Sequence, residues 1–235
     1  MKKSAKVTRR NPKRLTGLVC LLLFGLHLTS GLCQSAQVDI TALTQETQKL
    51  SQKADEMTMV WWIPEEFWAV SAAQNPAATE ADVQELLKTL RPYTVVVAVD
   101  GQIGSFGGIT YTSEAAMRAS MQLVDDQGNT YRPLNAQDID PDTQSFLSMM
   151  RPVLSNMLGP VGQNMHFFVF PGKAKSGKQI ADAKKEGAFS LRMEGKEFKW
   201  RLPLGSLLPP KTCPVDGEKL NGAWKFCPWH GAKLE

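Results

Sequence analysis

The chain has 235 residues, with 27 Lys and Arg against 23 Asp and Glu, a formal net charge of +4. Seven of the cations, Lys2, Lys3, Lys6, Arg9, Arg10, Lys13 and Arg14, fall in the first fourteen residues without an acid among them, so the rest of the chain holds 20 cations and 23 acids and is about −3. The overall basicity is therefore no argument for nucleic acid or anionic lipid as the partner of the main chain, and the roughly 200 residues left suffice for one domain with a core and a small appendage.

An apolar run follows the basic start, from Leu15 through Val19, then Leu21 to Phe24 and Leu28, and small residues come next at Ser30, Gly31, Ser35 and Ala36. That order predicts a secretory signal peptide over 1–33, cleaved after Cys33 or Ser35. Other leader types fit less well. Cys33 follows Leu32 and Cys20 follows Val19, where a lipoprotein cysteine follows a small residue. A membrane anchor needs about 20 apolar residues, and His27, Thr29 and Ser30 interrupt this run. Asn11-Pro12 stands where apolar residues should follow the twin arginine Arg9-Arg10. The expected location is extracytoplasmic, periplasmic or secreted, with membrane attachment only if the signal segment is retained. Cys20 and Cys33 leave with the signal, and Cys213 and Cys227 remain to form one disulfide or one metal site.

Residues 34–59 are polar, with Val38, Ile40, Leu43, Leu50, Met57 and Met59 as apolar punctuation, and predict a short amphipathic helix or a mobile segment. The aromatic stretch Trp61, Trp62, Phe67 and Trp68 follows, with Pro64-Glu65-Glu66 inside it as a helix start. The tryptophans fit core packing, with a ligand-stacking platform as the rival reading. Adjacent residues on a helix point about 100° apart, so Glu65 and Glu66 do not form a catalytic carboxylate pair. Thr79-Glu80-Ala81-Asp82 caps a helix carrying Val83, Leu86, Leu87 and Leu90.

Strands are expected at Tyr93 to Val99, Ile109 to Thr112, across the alternation Met117, Ala119, Met121, Leu123, and at Met165 to Phe170, Phe189 to Met193 and Phe198 to Leu204. A helix over 142–158 breaks or restarts at Pro152 and ends at Gly159-Pro160. The fold class is α+β or mainly β, antiparallel, with an immunoglobulin-like sandwich flanked by helices as one form of it. Residues 60–205 would form this helix-bearing β-rich domain, and 206–235 a Pro-rich linker and a tail.

Three motifs are set aside. Gly172-Lys173-Ala174-Lys175-Ser176-Gly177-Lys178 follows a strand like a phosphate-binding loop, but Gln179 replaces the hydroxyl that holds magnesium, so a basic surface loop is expected and no nucleotide. Asp138, Asp140 and Asp142 alternate like a calcium loop, but Thr143 replaces the required Gly; Asp140 reads as an N-cap with Pro141 first in the helix. His166 sits among Phe167 and Phe168 with no Ser or Cys motif beside it and reads as a packed or edge residue.

The strongest signal is an internal repeat. Cys213-Pro214-Val215-Asp216-Gly217-Glu218-Lys219-Leu220 returns fourteen residues later as Cys227-Pro228-Trp229-His230-Gly231-Ala232-Lys233-Leu234. Each half resembles the zinc-knuckle turn of zinc-ribbon domains. The resemblance covers about 23 residues, with Asp216 and His230 where that family carries its second Cys of each knuckle. It implies a tetrahedral zinc site of Cys213, Asp216, Cys227 and His230, structural rather than catalytic; a disulfide between Cys213 and Cys227 is the rival. The functional expectation is an exported, non-catalytic interaction or envelope-associated protein whose partner is a protein or envelope component and not a nucleic acid. A zinc-dependent or thiol-active extracytoplasmic enzyme, and a ligand binder using Trp61 to Trp68, are the alternatives.

Overall fold

In the computed structural model, which describes residues 38–51 and 53–235, strand alternation sends one face of a central sheet to a second sheet and the other face to helices. The expected signal peptide over 1–33 and both expected cleavage positions lie outside the described residues. The central sheet pairs β1 (Gln48–Leu50), β2 (Met59–Ile63), β3 (Tyr93–Val99) and β8 (His166–Pro171) in that order, all antiparallel. The second sheet runs β10 (Lys196–Leu202), β9 (Gly187–Met193), β6 (Gln122–Val124), β7 (Thr130–Tyr131), also antiparallel. A hairpin of β4 (Gly101–Ile103) and β5 (Ile109–Tyr111) extends from the end of β3. The architecture is α+β with antiparallel sheets and no closed barrel among the described residues.

Period-two alternation divides the core. Val60, Trp62, Val96, Ala98, Phe168 and Phe170 face the second sheet, where Leu123, Phe189, Leu191 and Trp200 meet them. Phe189 stacks on Trp200 with centroids 4.9 Å apart, and Trp62 meets Phe189 edge-on at 4.8 Å. The opposite residues, Met59, Trp61, Ile63, Val97 and Val99, pack under α2 (Glu65–Ala73), α3 (Glu80–Leu90) and α5 (Pro141–Gln163) through Trp68, Val83, Leu87 and Leu154. The central strands are buried on both faces, which is why β2 and β3 read as unbroken apolar runs.

Local capping sets the helix starts. Pro64 precedes α2 with Glu65 and Glu66 in its first turn. Thr79 and Asp82 form a reciprocal capping box on α3, and Asp140 caps α5 with Pro141 at its first position. Residues 34–59 supply α1 (Ile40–Thr47), which buries Leu43 and Thr47, and then β1.

Two expectations are corrected. Met117 to Ser120 is not strand but the end of α4 (Glu114–Ser120), because the Ser113 side chain accepts the Ala116 N–H and starts a helix, and only the stretch from Gln122 is extended. Pro152 does not break α5; the chain kinks at Gly159 (φ 57°, ψ −136°) and regains a helical turn through Gln163.

Candidate metal centre

The sequence repeat is also a backbone repeat. The Gly217 N–H donates to the Cys213 carbonyl (2.9 Å) and the Cys213 N–H to that of Glu218 (2.9 Å); in the second half Gly231 donates to Cys227 (2.8 Å) and Cys227 to Ala232 (2.8 Å). Each turn requires a left-handed residue, with φ 78° at Gly217 and 65° at Gly231, a conformation that costs a side chain and not a glycine. Behind each turn lies a minimal hairpin. Thr212 of β11 (Lys211–Thr212) faces Lys219 of β12 (Lys219–Leu220), and the equivalent Phe226 and Lys233 form a bridge. Leu220 and Leu234, each seven residues after its Cys, are buried with Cys213 and Cys227 in one small cluster.

The two turns converge on His230. Its Nδ1 lies 3.5 Å from the Cys213 Sγ and 3.5 Å from the Cys227 Sγ, and the three ligand atoms all lie within 4.8 Å of one another. A tetrahedral ion bonded to sulfur at about 2.3 Å and to nitrogen at about 2.0 Å separates the two donors by roughly 3.5 Å. Cys213, Cys227 and His230 are thus close enough, and of the right chemistry, to hold a metal ion. Both cysteines are buried free thiols, whereas His230 is exposed.

Local backbone polarity and burial act on the two thiols in opposite senses. Burial pushes the Cys213 thiol up against the N–H groups of Asp216 and Val215. At Cys227 burial acts in the same sense, but the N–H groups of His230 and Trp229, with the His230 ring, outweigh it and the thiol is pulled down. Asp216 stands beside the trio, its Oδ2 3.7 Å from His230 Nδ1, while its Oδ1 accepts the Glu218 N–H at 3.0 Å. That N–H, together with the Cys213 thiol, holds the Asp216 carboxyl below its usual range.

No known family model, curated protein or solved structure matches this chain. Its chemistry rests on its own geometry.

The module is tied to the main core by a residue that no sequence motif marks. The Glu46 carboxylate on α1 accepts the N–H groups of Gly205 (2.8 Å) and Ser206 (2.9 Å) and the Ser206 hydroxyl (2.7 Å), and Asn221 of the module donates to it at 3.4 Å. The expected linker is therefore held by a 3-10 turn (Gly205–Leu207) against α1. An acid in an amphipathic helix reads as a solvated face, and only the fold brings its partners to it.

The other singled-out residues take structural places. Trp61, Trp62 and Trp68 are buried, and Trp61 Nε1 donates to the Thr47 hydroxyl at 3.1 Å. Trp68 Nε1 is buried without a hydrogen-bond partner among the described residues, and Trp68 lines a cavity of about 110 Å³ together with Glu65, Arg91, Thr94 and Asp182. Glu65 pairs with Arg91 and Glu66 with Lys184, so the two acids diverge. His166 lies at the start of β8 with Nδ1 3.0 Å from Glu114 and 3.3 Å from Arg151. Gly172 serves sheet packing: a Cβ there would lie 2.7 Å from the Pro92 carbonyl oxygen, and Lys178 in the same loop pairs with Asp126.

Proposed function

We propose that this chain is an exported, non-catalytic interaction or envelope-associated protein whose C-terminal residues form a zinc-ribbon-like module held by one structural zinc. The observation that carries the reading is the placement of His230 Nδ1 at 3.5 Å from both sulfurs. Cys213, Cys227 and His230 would supply three ligands and Asp216 the fourth, its carboxylate already beside His230. Zinc there would join two turns that otherwise share a core of only a few side chains. Both sulfurs stand 3.5 Å from the same imidazole nitrogen, an arrangement that suits shared ligation of one ion. The extracytoplasmic location is supported by the basic, apolar and small-residue order of the first thirty-six residues. Among the described residues no helix is long and apolar enough to cross a membrane.

Metal analysis of protein recovered from the exported fraction, with a count of free thiols before and after chelation, tests this reading. One zinc per chain, with two thiols that become reactive only after chelation, is expected. A metal-free protein with a Cys213–Cys227 disulfide overturns it.

The cavity that Trp68 lines together with Glu65 and Arg91 favours a second reading, a small ligand held at the Trp61 to Trp68 aromatic cluster. Trp68→Phe would weaken such a ligand without disturbing zinc; if tryptophan fluorescence ignores every ligand offered, this second reading fails.

A further inference from the structure

The last 23 residues expose more aromatic surface than any other part of the described chain. Val215 (62 % exposed), Trp224 (43 %), Phe226 (60 %) and Trp229 (72 %) all lie there, and of the six tryptophans Trp224 and Trp229 are the two that are exposed. Val215 and Trp229 occupy the same position in the two repeats, the second residue after the Cys, so both stand on the turns that bracket the metal trio.

Cations accompany the aromatics. Lys211 Nζ donates to the Trp224 carbonyl at 2.9 Å, and Lys233 faces Phe226 across the bridge of the second hairpin. Lys225 lies between Trp224 and Phe226 in sequence and is exposed. None of Lys211, Lys219, Lys225 and Lys233 is in an ion pair among the described residues; elsewhere Lys49, Lys173 and Lys175 share that state, while Lys53, Lys88, Lys178, Lys184, Lys185, Lys196 and Lys199 pair with acids. The module itself carries Asp216, Glu218 and Glu235 beside its four lysines, and the chain beyond its first fourteen residues is net acidic, so attraction to an anionic surface would come from where these lysines stand beside the rings and not from net charge.

We propose that the C-terminal module docks on an anionic lipid surface, with Trp229, Phe226 and Trp224 entering the headgroup region and Lys211, Lys225 and Lys233 meeting the phosphates. Large amphipathic rings settle at the membrane–water boundary, and nearby lysines add attraction to anionic headgroups that salt weakens. Unpaired lysines alternating with exposed rings fit that surface better than an apolar protein groove, which would leave the ammonium groups without counter-charges. The inference names the envelope component of the function proposed above and rests on it.

The test uses Ala36–Glu235, the compact unit that holds all the described core residues, so that the basic and apolar N-terminus does not bind vesicles on its behalf. Zinc-loaded protein is mixed with vesicles of phosphatidylcholine alone or with 30 mol% phosphatidylglycerol, and sedimentation and tryptophan emission are followed. Binding to the anionic vesicles, with a blue shift and with weakening at high salt, is expected; four of the six tryptophans are already buried, so the shift reports Trp224 and Trp229. Lys233→Glu and the pair Phe226→Ser, Trp229→Ser should each weaken partition by about tenfold or more while zinc content is unchanged. Zinc-loaded protein that ignores anionic vesicles, or variants that bind as well as the parent, overturn the lipid proposal and leave the metal reading standing. In that event the patch belongs to a protein partner. Protein that takes up no zinc fails the metal reading instead, and vesicle binding that persists without zinc separates the two.

Discussion

Glu46 and Ser206 are 160 residues apart in the chain, yet the Glu46 carboxylate accepts both the backbone N–H and the hydroxyl of Ser206, at 2.9 and 2.7 Å. This contact caps a 3-10 turn and fixes the start of the C-terminal module to α1. Glu46→Ala removes the acceptor from two backbone donors at once. It should cost about 1–2 kcal/mol in chemical denaturation, at the low end because the group is only half buried. Glu46→Gln should cost less, since it keeps an acceptor oxygen. If neither variant moves the midpoint, the anchor contributes nothing net.

Acid should weaken the protein in two stages. His166 is held below its ordinary value of about 6.5 by burial and by Arg151, with Glu114 opposing. A histidine depressed in the folded state contributes stability that is complete above the unfolded value and is lost as pH falls through the folded one. The first loss therefore begins below about pH 6.5 and should vanish in His166→Gln. Glu46, Asp100 and Asp125 are all held down; burial acts to raise each of them, but hydrogen bonds from Ser206, Lys196 and Asn129 respectively lead the contributions that outweigh it. Their contribution is complete above about pH 4.5 and is lost as pH falls through their folded values, giving a second, steeper decline. Stability measured by urea titration from pH 8 to pH 3 checks both stages.

Asp100 and Lys196 bind the two sheets through charge. Asp100 is buried at the end of β3 and accepts from Lys196 (2.8 Å), Thr58 (2.6 Å) and Thr112 (2.7 Å). Lys196→Met leaves that carboxylate buried with hydroxyl partners alone and should cost about 3 kcal/mol. The double variant Asp100→Asn, Lys196→Met should recover much of this loss, because the larger penalty is the unpaired charge and not the missing bridge. A double variant no more stable than the single one would remove that account.

Legibility in the sequence followed the range of the signal. Pro64, Thr79 and Asp140 announced α2, α3 and α5 because a cap and its first-turn partners lie within a few residues, and β3 announced itself by an unbroken β-branched run. The α4 segment misled because Met117, Ala119, Met121 and Leu123 alternate; Met117 and Leu123 are both buried, one on a helix and one on a strand. At the C-terminus the repeat alone marks Cys213, Cys227 and His230 as a group, since fourteen-residue spacing with glycines at matching positions is itself a geometric statement. The partners of Glu46 and Asp100 were not legible: Ser206 and Lys196 lie 160 and 96 residues away, and no local pattern encodes a pairing across that distance.

In the proposed zinc-bound protein, removal of the metal should loosen the C-terminal module and spare the rest. Cys213, Leu220, Cys227 and Leu234 make up its buried cluster, too small a core to hold two turns closed without a ligand, whereas the Trp62, Phe189 and Trp200 core is built from other elements. On chelation, amide exchange should accelerate across Thr212 to Leu234, beginning with the Cys213, Gly217, Cys227 and Gly231 N–H groups that close the turns. Strands β3 and β8 should keep their protection, and the main thermal transition should move little. His230→Ala removes a direct ligand, so it should weaken zinc binding by more than the roughly hundredfold that loss of an outer-shell partner can cost, and should reproduce the same local loosening at low zinc. Global unfolding on chelation would mean instead that the module holds up the whole fold through Glu46, and then Glu46→Ala should abolish that long-range effect while leaving zinc bound.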